Sequence, residues 1–266
     1  MIGSAAGLSF LDFVKNLAPV IVIILLVTLL GIRQLYKNSM KTSEEDKKKI
    51  MALDESKAIR DMSLMKKCLT ILFLTLIGFL THSYLGFESA TIAIAGSAIL
   101  LAISKVEPDE ILQETEWGGT IFFFIGLFIM TGVLEDVGIM KVLAQKTLSL
   151  TKGNLVMTGI FVLWISAIAS AFIDNIPFVA TMIPLIKAMG TMGGMDIVPL
   201  WWALSLGACL GGNGTMIGAS ANLVVIGIAE KSGYKISFKD YFKLGFPVML
   251  VSIIICTAYL LMFFLK

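Results

Sequence analysis

The chain has 266 residues, of which 57% are hydrophobic and only 15% are charged. Soluble domains carry about 25% charged residues, so this composition excludes a water-soluble globule. The 21 basic and 19 acidic residues leave a net charge of +2, and no one-signed field indicates a nucleic-acid partner. The three cysteines are isolated within apolar stretches, which excludes a disulfide scaffold and a structural zinc site.

Long apolar runs predict an all-α polytopic membrane protein in a lipid bilayer. A bilayer core of about 30 Å requires a helix of roughly 17 to 25 apolar residues. Five runs approach this length and are predicted to cross the membrane: 17–32, 68–84, 89–104, 118–134 and 244–265. His82 lies at the edge of the second run and is interpreted as an interfacial anchor.

Two further apolar segments are interrupted by polar or flexible residues. Residues 155–186 contain the stretch FIDNIPF, which predicts a re-entrant hairpin with this stretch at its tip. Proline removes a backbone donor there, and the neighbouring Asp and Asn can bond the freed groups. Residues 198–230 contain GACLGGNGTMIGASAN, which predicts a helix broken within the membrane. Irregular backbone is tolerated at that depth only beside a cavity or inside protein.

The hydrophilic segment 33–67 sets the predicted orientation. It contains ten Lys or Arg and six acidic residues, so the positive-inside rule places this loop in the cytoplasm. Counting crossings from the loop puts 15 of the 21 basic residues inside and six outside, with the carboxy terminus outside. We expect the protein in the plasma or inner membrane of the cell.

Two short segments resemble each other. SFLDFVKNLAPV at 9–20 and SFKDYFKLGFPV at 237–248 agree at seven of twelve positions, and the number of predicted crossings between them is odd. We interpret the pair as an inverted repeat, a recurring plan of secondary transporters. The alternative is that each span merely needs an amphipathic surface helix before it.

The repeat divides the chain into three predicted parts. Residues 1–32 form the tail of a first repeat, with a surface helix and one span; 33–67 form the loop; 68–266 form a complete second repeat. A glycine-rich break precedes the second copy, whereas the first copy lies close to Met1. We therefore expect a matching break upstream of Met1, in the same gene or in a separately encoded first repeat.

Asp174 is the acidic residue that lies deep inside an apolar segment. A carboxylate in the membrane is costly and indicates a functional site, with a coupling cation, a proton or helix N-termini as its partner. The alternative is that Asp174 only caps the helix that starts after it, and both roles are compatible. Asn175 adds a donor and an acceptor. An intramembrane aspartyl protease would need a second facing aspartate, so we predict no enzyme.

The glycine-rich break is the second candidate. It has four glycines with Asn213, Thr215, Ser220 and Asn222 among them, which favours a coordination site because glycine lets the chain unwind and frees carbonyl groups. The alternative is close helix packing, since Gly207, Gly211, Gly214 and Gly218 approximate a small-residue face. Neither nucleotide-binding glycine motif fits this spacing.

The chain resembles the ion transporter superfamily, in particular the branch of arsenite-efflux and NhaD-type sodium/proton antiporters, which includes the pink-eyed-dilution protein and the citrate-transporter-like domain. Three stretches carry the resemblance: EWGGTIFFFIGLFIMTGVLEDVGI, SAFIDNIPFVATMIPLI and GACLGGNGTMIGASANLVVIGIAEKSGYKISFKDYFKLGFPV. The resemblance implies three spans, a hairpin, a broken helix and a final span. It also implies a homodimer.

By this resemblance, Asp174 and Asn175 correspond to the hairpin tip, and the facing broken-helix loop comprises Gly212, Asn213, Gly214, Thr215 and Asn222. Sodium-coupled dicarboxylate relatives carry Ser-Asn-Thr at the tip, whereas this chain has Asp-Asn-Ile. The resemblance therefore implies cation- or proton-coupled exchange, such as Na⁺/H⁺ antiport or efflux of arsenite or another small anion.

Besides a possible Na⁺ bound at the tip and the loop, no cofactor or metal is expected. The alternatives are a dicarboxylate or citrate symporter and a membrane fragment that transports nothing. With only one of the two repeats complete, we expect the chain alone to insert into membranes without moving solute.

Overall fold

The computed structural model describes residues 1–37, 44–52, 59, 61–104, 106–114 and 121–266, and within these ranges all regular structure is helical. The helices are α1 (Ile2–Ala6), α2 (Phe10–Tyr36), α3 (Glu44–Met51), α4 (Met62–Leu85), α5 (Ser89–Ser104), α6 (Pro108–Glu114), α7 (Phe122–Asp136), α8 (Ile139–Leu150), α9 (Leu155–Ser170), α10 (Asn175–Gly193), α11 (Val198–Gly211), α12 (Ser220–Lys231) and α13 (Phe238–Phe263). The predicted all-α class is confirmed.

Four described helices are long and apolar enough to cross a bilayer: α2, α4, α10 and α13. Three of them contain the predicted spans 17–32, 68–84 and nearly all of 244–265. α5 coincides with the predicted span 89–104, but its 16 residues extend only about 24 Å. Several candidate spans in one chain confirm the prediction of a polytopic membrane protein.

The predicted span 118–134 differs from the structure. Its first residues lie outside the described part of the chain, and the helix α7 turns by 68° into α8 instead of ending in a loop. Gly138 lies at the turn with φ 79°, in the left-handed region that glycine adopts without strain. The sequence did not predict α8 because its polar residues interrupt the apolar run of α7, although the helix continues after the bend.

The two repeated segments have the same local structure. Ser9 and Ser237 each cap the following helix, accepting a hydrogen bond from the backbone N–H of Asp12 at 3.1 Å and of Asp240 at 3.2 Å. Pro19 lies inside α2 and Pro247 lies at the corresponding place inside α13. Each copy forms the start of one continuous helix, α2 or α13, that also contains the apolar span after it.

The chain divides into two compact units, of which the first comprises residues 1–8, 17–24 and 117–266. Its centre is α11, which is apolar all round and has eleven of its fourteen residues buried. α9, α10 and α13 pack against it. The largest fully buried side chains include Leu163, Ile186, Trp202, Leu204, Met249 and Ile253.

The second unit comprises residues 9–16 and 25–116, and α4 with α5 forms its main helix pair. Gly78 faces Ile92 and Gly96 faces Thr75, so the two helices run antiparallel. His82 lies at the end of α4 and forms two hydrogen bonds: its Nε2 accepts from the Phe10 N–H at 3.2 Å, and its Nδ1 lies 2.9 Å from the Phe87 carbonyl oxygen. His82 thus ties the start of α2 to the turn after α4.

Candidate functional site

Helices α9 and α11 pack side by side in the same direction. A Cβ placed on Gly207 would lie 2.5 Å from the carbonyl oxygen of Leu163, and one placed on Gly211 would lie 2.6 Å from the Cα of Ala167. Only glycine permits this approach of two backbones, which is the small-residue packing typical of membrane helices. Since both helices advance together, their carboxyl ends lie at the same level.

The first break follows the carboxyl end of α9, and α10 begins after it at Asn175. Asp174 caps α10: its Oδ1 accepts a hydrogen bond from the backbone N–H of Ile176 at 3.1 Å. Asp174 and Asn175 are both half-buried. The re-entrant hairpin predicted for 155–186 coincides with α9, the break and the first part of α10; α10 continues to Gly193 and is long enough to span the membrane.

The second break follows the carboxyl end of α11. Gly212–Gly214 form a single tight helical turn, Thr215 is extended with φ −136° and ψ 165°, and α12 starts at Ser220. The side-chain amide of Asn222 donates to the carbonyl oxygen of Gly212 at 2.9 Å and to that of Thr215 at 3.1 Å. Asn222 therefore holds the unwound segment in place, and the helix break predicted within 198–230 is confirmed.

Hydrogen bonds join the two breaks. The hydroxyl of Thr215 is completely buried and donates to the carbonyl oxygen of Ala171, the residue at which α9 ends. One residue before Ala171, the buried Ser170 hydroxyl donates to the Ala208 carbonyl oxygen of α11 at 2.7 Å. Gly214 also lies against Ala171, where a Cβ would come within 2.9 Å of the alanine Cβ.

Three carbonyl oxygens converge beside Gly218. A Cβ placed on Gly218 would lie 2.7 Å from the oxygen of Gly212 and 2.9 Å from those of Ser170 and Ala171. Two of these oxygens belong to the carboxyl end of α9, the negative end of that helix dipole. Converging carbonyl groups at helix carboxyl ends are ligands for hard cations such as Na⁺. We call this the carbonyl cluster.

The predicted site residues divide into three groups. Gly212, Gly214, Thr215 and Asn222 meet at the contact between the breaks. The Asn213 side chain is exposed, and its carbonyl oxygen instead faces α13 at Gly245. Asp174 and Asn175 lie at the tip, and among the described residues neither hydrogen-bonds to the second break nor forms an ion pair.

The structure separates the two interpretations of the glycine-rich stretch. Gly207 and Gly211 provide the helix packing, whereas Gly214 and Gly218 face the end of α9 within the break. Sequence reasoning missed the backbone oxygens of Ser170 and Ala171. The small residues Ser166, Ala167 and Ser170 at helical spacing were the signal that α9 approaches the glycine-rich helix closely.

The ligands that this site offers are oxygen atoms. Among the described residues, no group of three or more His, Cys, Asp or Glu side chains could hold a transition metal. Carbonyl, hydroxyl and carboxylate oxygens suit hard cations, and the uncapped amino end of α12 suits an anion. The arrangement can thus accommodate charges of both signs on opposite helix ends.

Comparison with known proteins identifies the family. The model of the family described as citrate transporter (CitMHS) matches residues 1–207. An uncharacterized transporter of Mycobacterium bovis is 41% identical over 262 residues, which cover 98% of this chain and 61% of that protein. A 46 kDa membrane protein of Mycobacterium leprae is 39% identical, with the same coverage of 98% and 61%.

A relative from a distant organism extends this likeness. The P protein of Homo sapiens is 40% identical over 243 residues, which cover 86% of this chain and 29% of that protein. The chain spans 61% of the length of the mycobacterial relatives it matches.

Proposed function

Because the chain belongs to the citrate transporter family, we propose that it carries one half of the transport site of a secondary active transporter coupled to Na⁺ or H⁺. The family match confirms the citrate-transporter side of the resemblance. The proposed chemistry is antiport, either Na⁺/H⁺ exchange or efflux of arsenite or another small anion. This choice extends beyond what the relatives' names state.

The carbonyl cluster is the observation that carries the proposal. In transporters built from inverted repeats, unwound backbone and half-helix carboxyl ends coordinate the coupling cation near the midplane. Here two such ends meet: the oxygens of Ser170 and Ala171 from α9 and that of Gly212 after α11. Backbone oxygens gathered at one point repel each other, and a cation between them removes that repulsion.

Asp174 and Asn175 supply the side-chain part of the proposed site. Asp174 lies three residues after Ala171, on the same break, and its carboxylate is a charge that a proton or Na⁺ would neutralise. The cap that it forms with Ile176 is compatible with this role, since one oxygen accepts the N–H and the other remains for a cation.

Citrate symport is the second candidate, and the family description favours it. A tricarboxylate needs backbone N–H donors, and the amino end of α12 offers them because no side chain caps it. The Asp-Asn-Ile tip argues against citrate, because a carboxylate there repels an anion unless a cation lies between them.

Transport by everted membrane vesicles from cells that express the chain together with a first repeat tests both candidates, since the chain supplies only one half of the proposed site. We expect Na⁺ to dissipate an imposed pH gradient, or labelled arsenite to move with that gradient, and labelled citrate not to accumulate. Sodium-dependent citrate uptake without proton movement would favour the symporter instead. Absence of all three activities, with the protein present in the membrane, would contradict a transport role.

A pair of glycine variants tests the carbonyl cluster itself. Gly218→Ala places a methyl group among the three oxygens, whereas Gly227→Ala on the neighbouring α12 meets no atom within 4 Å. We expect the first to abolish the Na⁺ dependence of transport and the second to leave it unchanged. Equal Na⁺ dependence in both variants would show that the cation does not bind at the carbonyl cluster.

The chain is an integral membrane protein, and its membrane, orientation and assembly are proposals. We propose the cell membrane, a cytoplasmic loop at 33–67, the carboxy terminus outside, and a homodimer that is completed by a first repeat. Labelling of single cysteines with an impermeant reagent in intact cells tests the orientation: a cysteine at Lys47 should react only after the cells are opened, and one at Lys266 before.

A further inference from the structure

The α4–α5 pair has a groove on its surface with a basic end and an apolar remainder. The basic end is a cavity of about 290 Å³ lined by Ser63, Lys66, Lys67, Thr70, Ile71 and Ile103. A second cavity of about 290 Å³ shares Ile71 and continues between the helices along Leu74, Thr75, Ile92, Gly96 and Ile99. We call the two together the α4–α5 groove.

The basic end is formed by one face of α4. Ser63, Lys66, Lys67 and Thr70 recur at helical spacing, so these four residues of α4 line the same cavity. The Lys67 ammonium donates to the carbonyl oxygen of Ile103 at 2.7 Å, which fixes it across the groove and leaves it two further N–H donors. No described residue forms an ion pair with Lys66.

The charge at this end favours an anion. Asp61 precedes α4, and its Oδ1 accepts the backbone N–H of Leu64 at 3.0 Å and caps the helix. Lys66 and Lys67 therefore bring two positive charges to this cavity, and among the described residues neither forms an ion pair. The predicted position of Lys66 and Lys67, at the cytoplasmic end of a span, is where anionic headgroups are found.

The rest of the groove has the shape of an acyl chain. From Ile103 to Thr91 it follows α5 for about 18 Å, close to half the thickness of a hydrocarbon core. Its floor exists because Gly96 has no side chain where it meets Thr75. Leu74 and Ile99 remain 54% and 52% exposed at its walls, so the protein's own described residues leave the groove open.

We propose that the α4–α5 groove binds an anionic phospholipid, with the phosphate between Lys66 and Lys67 and one acyl chain lying along Ile71, Ile92 and Ile99. A free phosphate ion would bind only at the basic end of the groove, and an apolar helix would contact only its apolar part. A molecule with one charged end and an acyl chain satisfies both cavities at once. This inference is independent of the proposed transport activity.

Binding of phosphatidylglycerol to the purified, delipidated protein tests the proposal by native mass spectrometry, with phosphatidylcholine as the uncharged reference lipid. We expect phosphatidylglycerol to bind more tightly than phosphatidylcholine. Lys66→Gln should weaken phosphatidylglycerol about fivefold, the equivalent of about 1 kcal/mol for one lysine near an anionic surface. Lys141→Gln, which removes an exposed lysine of α8 that does not line the groove, should leave the affinity unchanged.

The apolar part is tested by filling it. Ala95 lines the groove, whereas Ala93 is equally exposed on α5 and does not. Ala95→Trp should reduce phosphatidylglycerol binding at least as much as Lys66→Gln, and Ala93→Trp should not. Equal binding by both tryptophan variants would overturn the acyl-chain part of the proposal.

Two other occupants give different results. If inorganic phosphate at millimolar concentration displaced the lipid completely, the site would be a phosphate site and the proposal would be wrong. If Ala95→Trp changed the oligomeric state measured by light scattering and lipid binding stayed the same, the groove would be an interface between copies of the chain, which would also contradict it.

Discussion

The α9–α11 and α4–α5 pairs are both close helix pairs that depend on glycine, yet they differ in what surrounds them. α9 and α11 run parallel and are largely buried, and their carboxyl ends meet in the carbonyl cluster. α4 and α5 run antiparallel and contain no buried residue. Parallel packing places two like helix ends together, whereas an antiparallel pair places a carboxyl end beside an amino end and cancels the dipoles.

This difference explains where each pair can bind a charged ligand. At the α9–α11 pair the proposed cation site draws on backbone dipoles of one sign, together with the Asp174 carboxylate. At the α4–α5 pair the opposed dipoles supply little field, so the charge must come from side chains such as Lys66 and Lys67. Substitutions at matched positions in the two pairs should therefore lower the free energy of unfolding by different amounts.

Gly211→Ala should have the largest effect on stability. The added Cβ would lie 2.6 Å from the Cα of Ala167, so two buried helix backbones must separate. Overpacking of this kind costs about 1–3 kcal/mol, and a loss near the upper limit is expected because backbone atoms cannot rotate away. Thermal unfolding in detergent measures it.

Gly132→Ala is the control for that prediction. Gly132 lies in α7 with no atom within 4 Å of a Cβ, so alanine should stabilise the helix by up to about 1 kcal/mol. If Gly211→Ala were as harmless as Gly132→Ala, the two helices would not pack as closely as the structure has them.

Thr215→Val should rank second. Valine keeps the shape of threonine but removes the hydroxyl that donates to the Ala171 carbonyl oxygen, in a completely buried site. A buried acceptor left without a donor costs about 1–3 kcal/mol. Thermal unfolding measures the loss, and Thr81→Val on the exposed α4 is the control, since that hydroxyl bonds the carbonyl oxygens of Ile77 and Gly78 within its own helix.

Thr215→Val should also reduce the stabilisation of the protein by Na⁺. The Thr215 hydroxyl fixes the Ala171 carbonyl, which is one of the three oxygens of the carbonyl cluster. In the parent protein, added NaCl should raise the unfolding temperature relative to choline chloride, and Thr215→Val should reduce this difference. An unchanged difference would show that the Thr215–Ala171 contact is structural only.

Gly96→Ala in the α4–α5 pair should cost less than Gly211→Ala. Here the added Cβ meets the Thr75 hydroxyl, a side-chain atom that can rotate away, so we expect about 1 kcal/mol or less. The double variant with Thr75→Ala should recover the loss, as thermal unfolding would show. A cost equal to that of Gly211→Ala would mean that both pairs are equally tightly packed, contrary to the comparison.

The sequence predicted the positions of both helix breaks because their causes are local. Asp174 next to Asn175 and Pro177 ends one helix and caps another, and clustered glycines unwind α11. It did not predict the 68° bend between α7 and α8, since Gly138 is a single residue whose positive φ depends on how the helices pack.

The carbonyl cluster could not be predicted for a different reason. Its ligands are main-chain oxygens of Ser170, Ala171 and Gly212, which every residue type possesses, so no pattern of side chains identifies them. The sequence does contain Gly218, and any other residue at this position would place a side chain among the three oxygens. Whether that glycine serves helix packing or a binding site can be decided only from the three-dimensional arrangement of both breaks.

Asp174→Asn should have the smallest effect on stability and the clearest effect on transport. Asparagine is as good a helix cap as aspartate, so the hydrogen bond with Ile176 survives, and the loss is at most about 1 kcal/mol through the helix dipole. The lost negative charge, however, removes the group that the proposed mechanism neutralises with Na⁺ or H⁺. Asp196→Asn is the matched control, because Asp196 likewise accepts the N–H of the residue two positions later, that of Val198 at 2.9 Å, just before α11. Both variants should unfold at nearly the same temperature as the parent protein, and only Asp174→Asn should make transport independent of imposed Na⁺ and pH gradients. If both variants kept the gradient dependence, Asp174 would be a cap like Asp196, and coupling would rest on the backbone oxygens beside Gly218 alone.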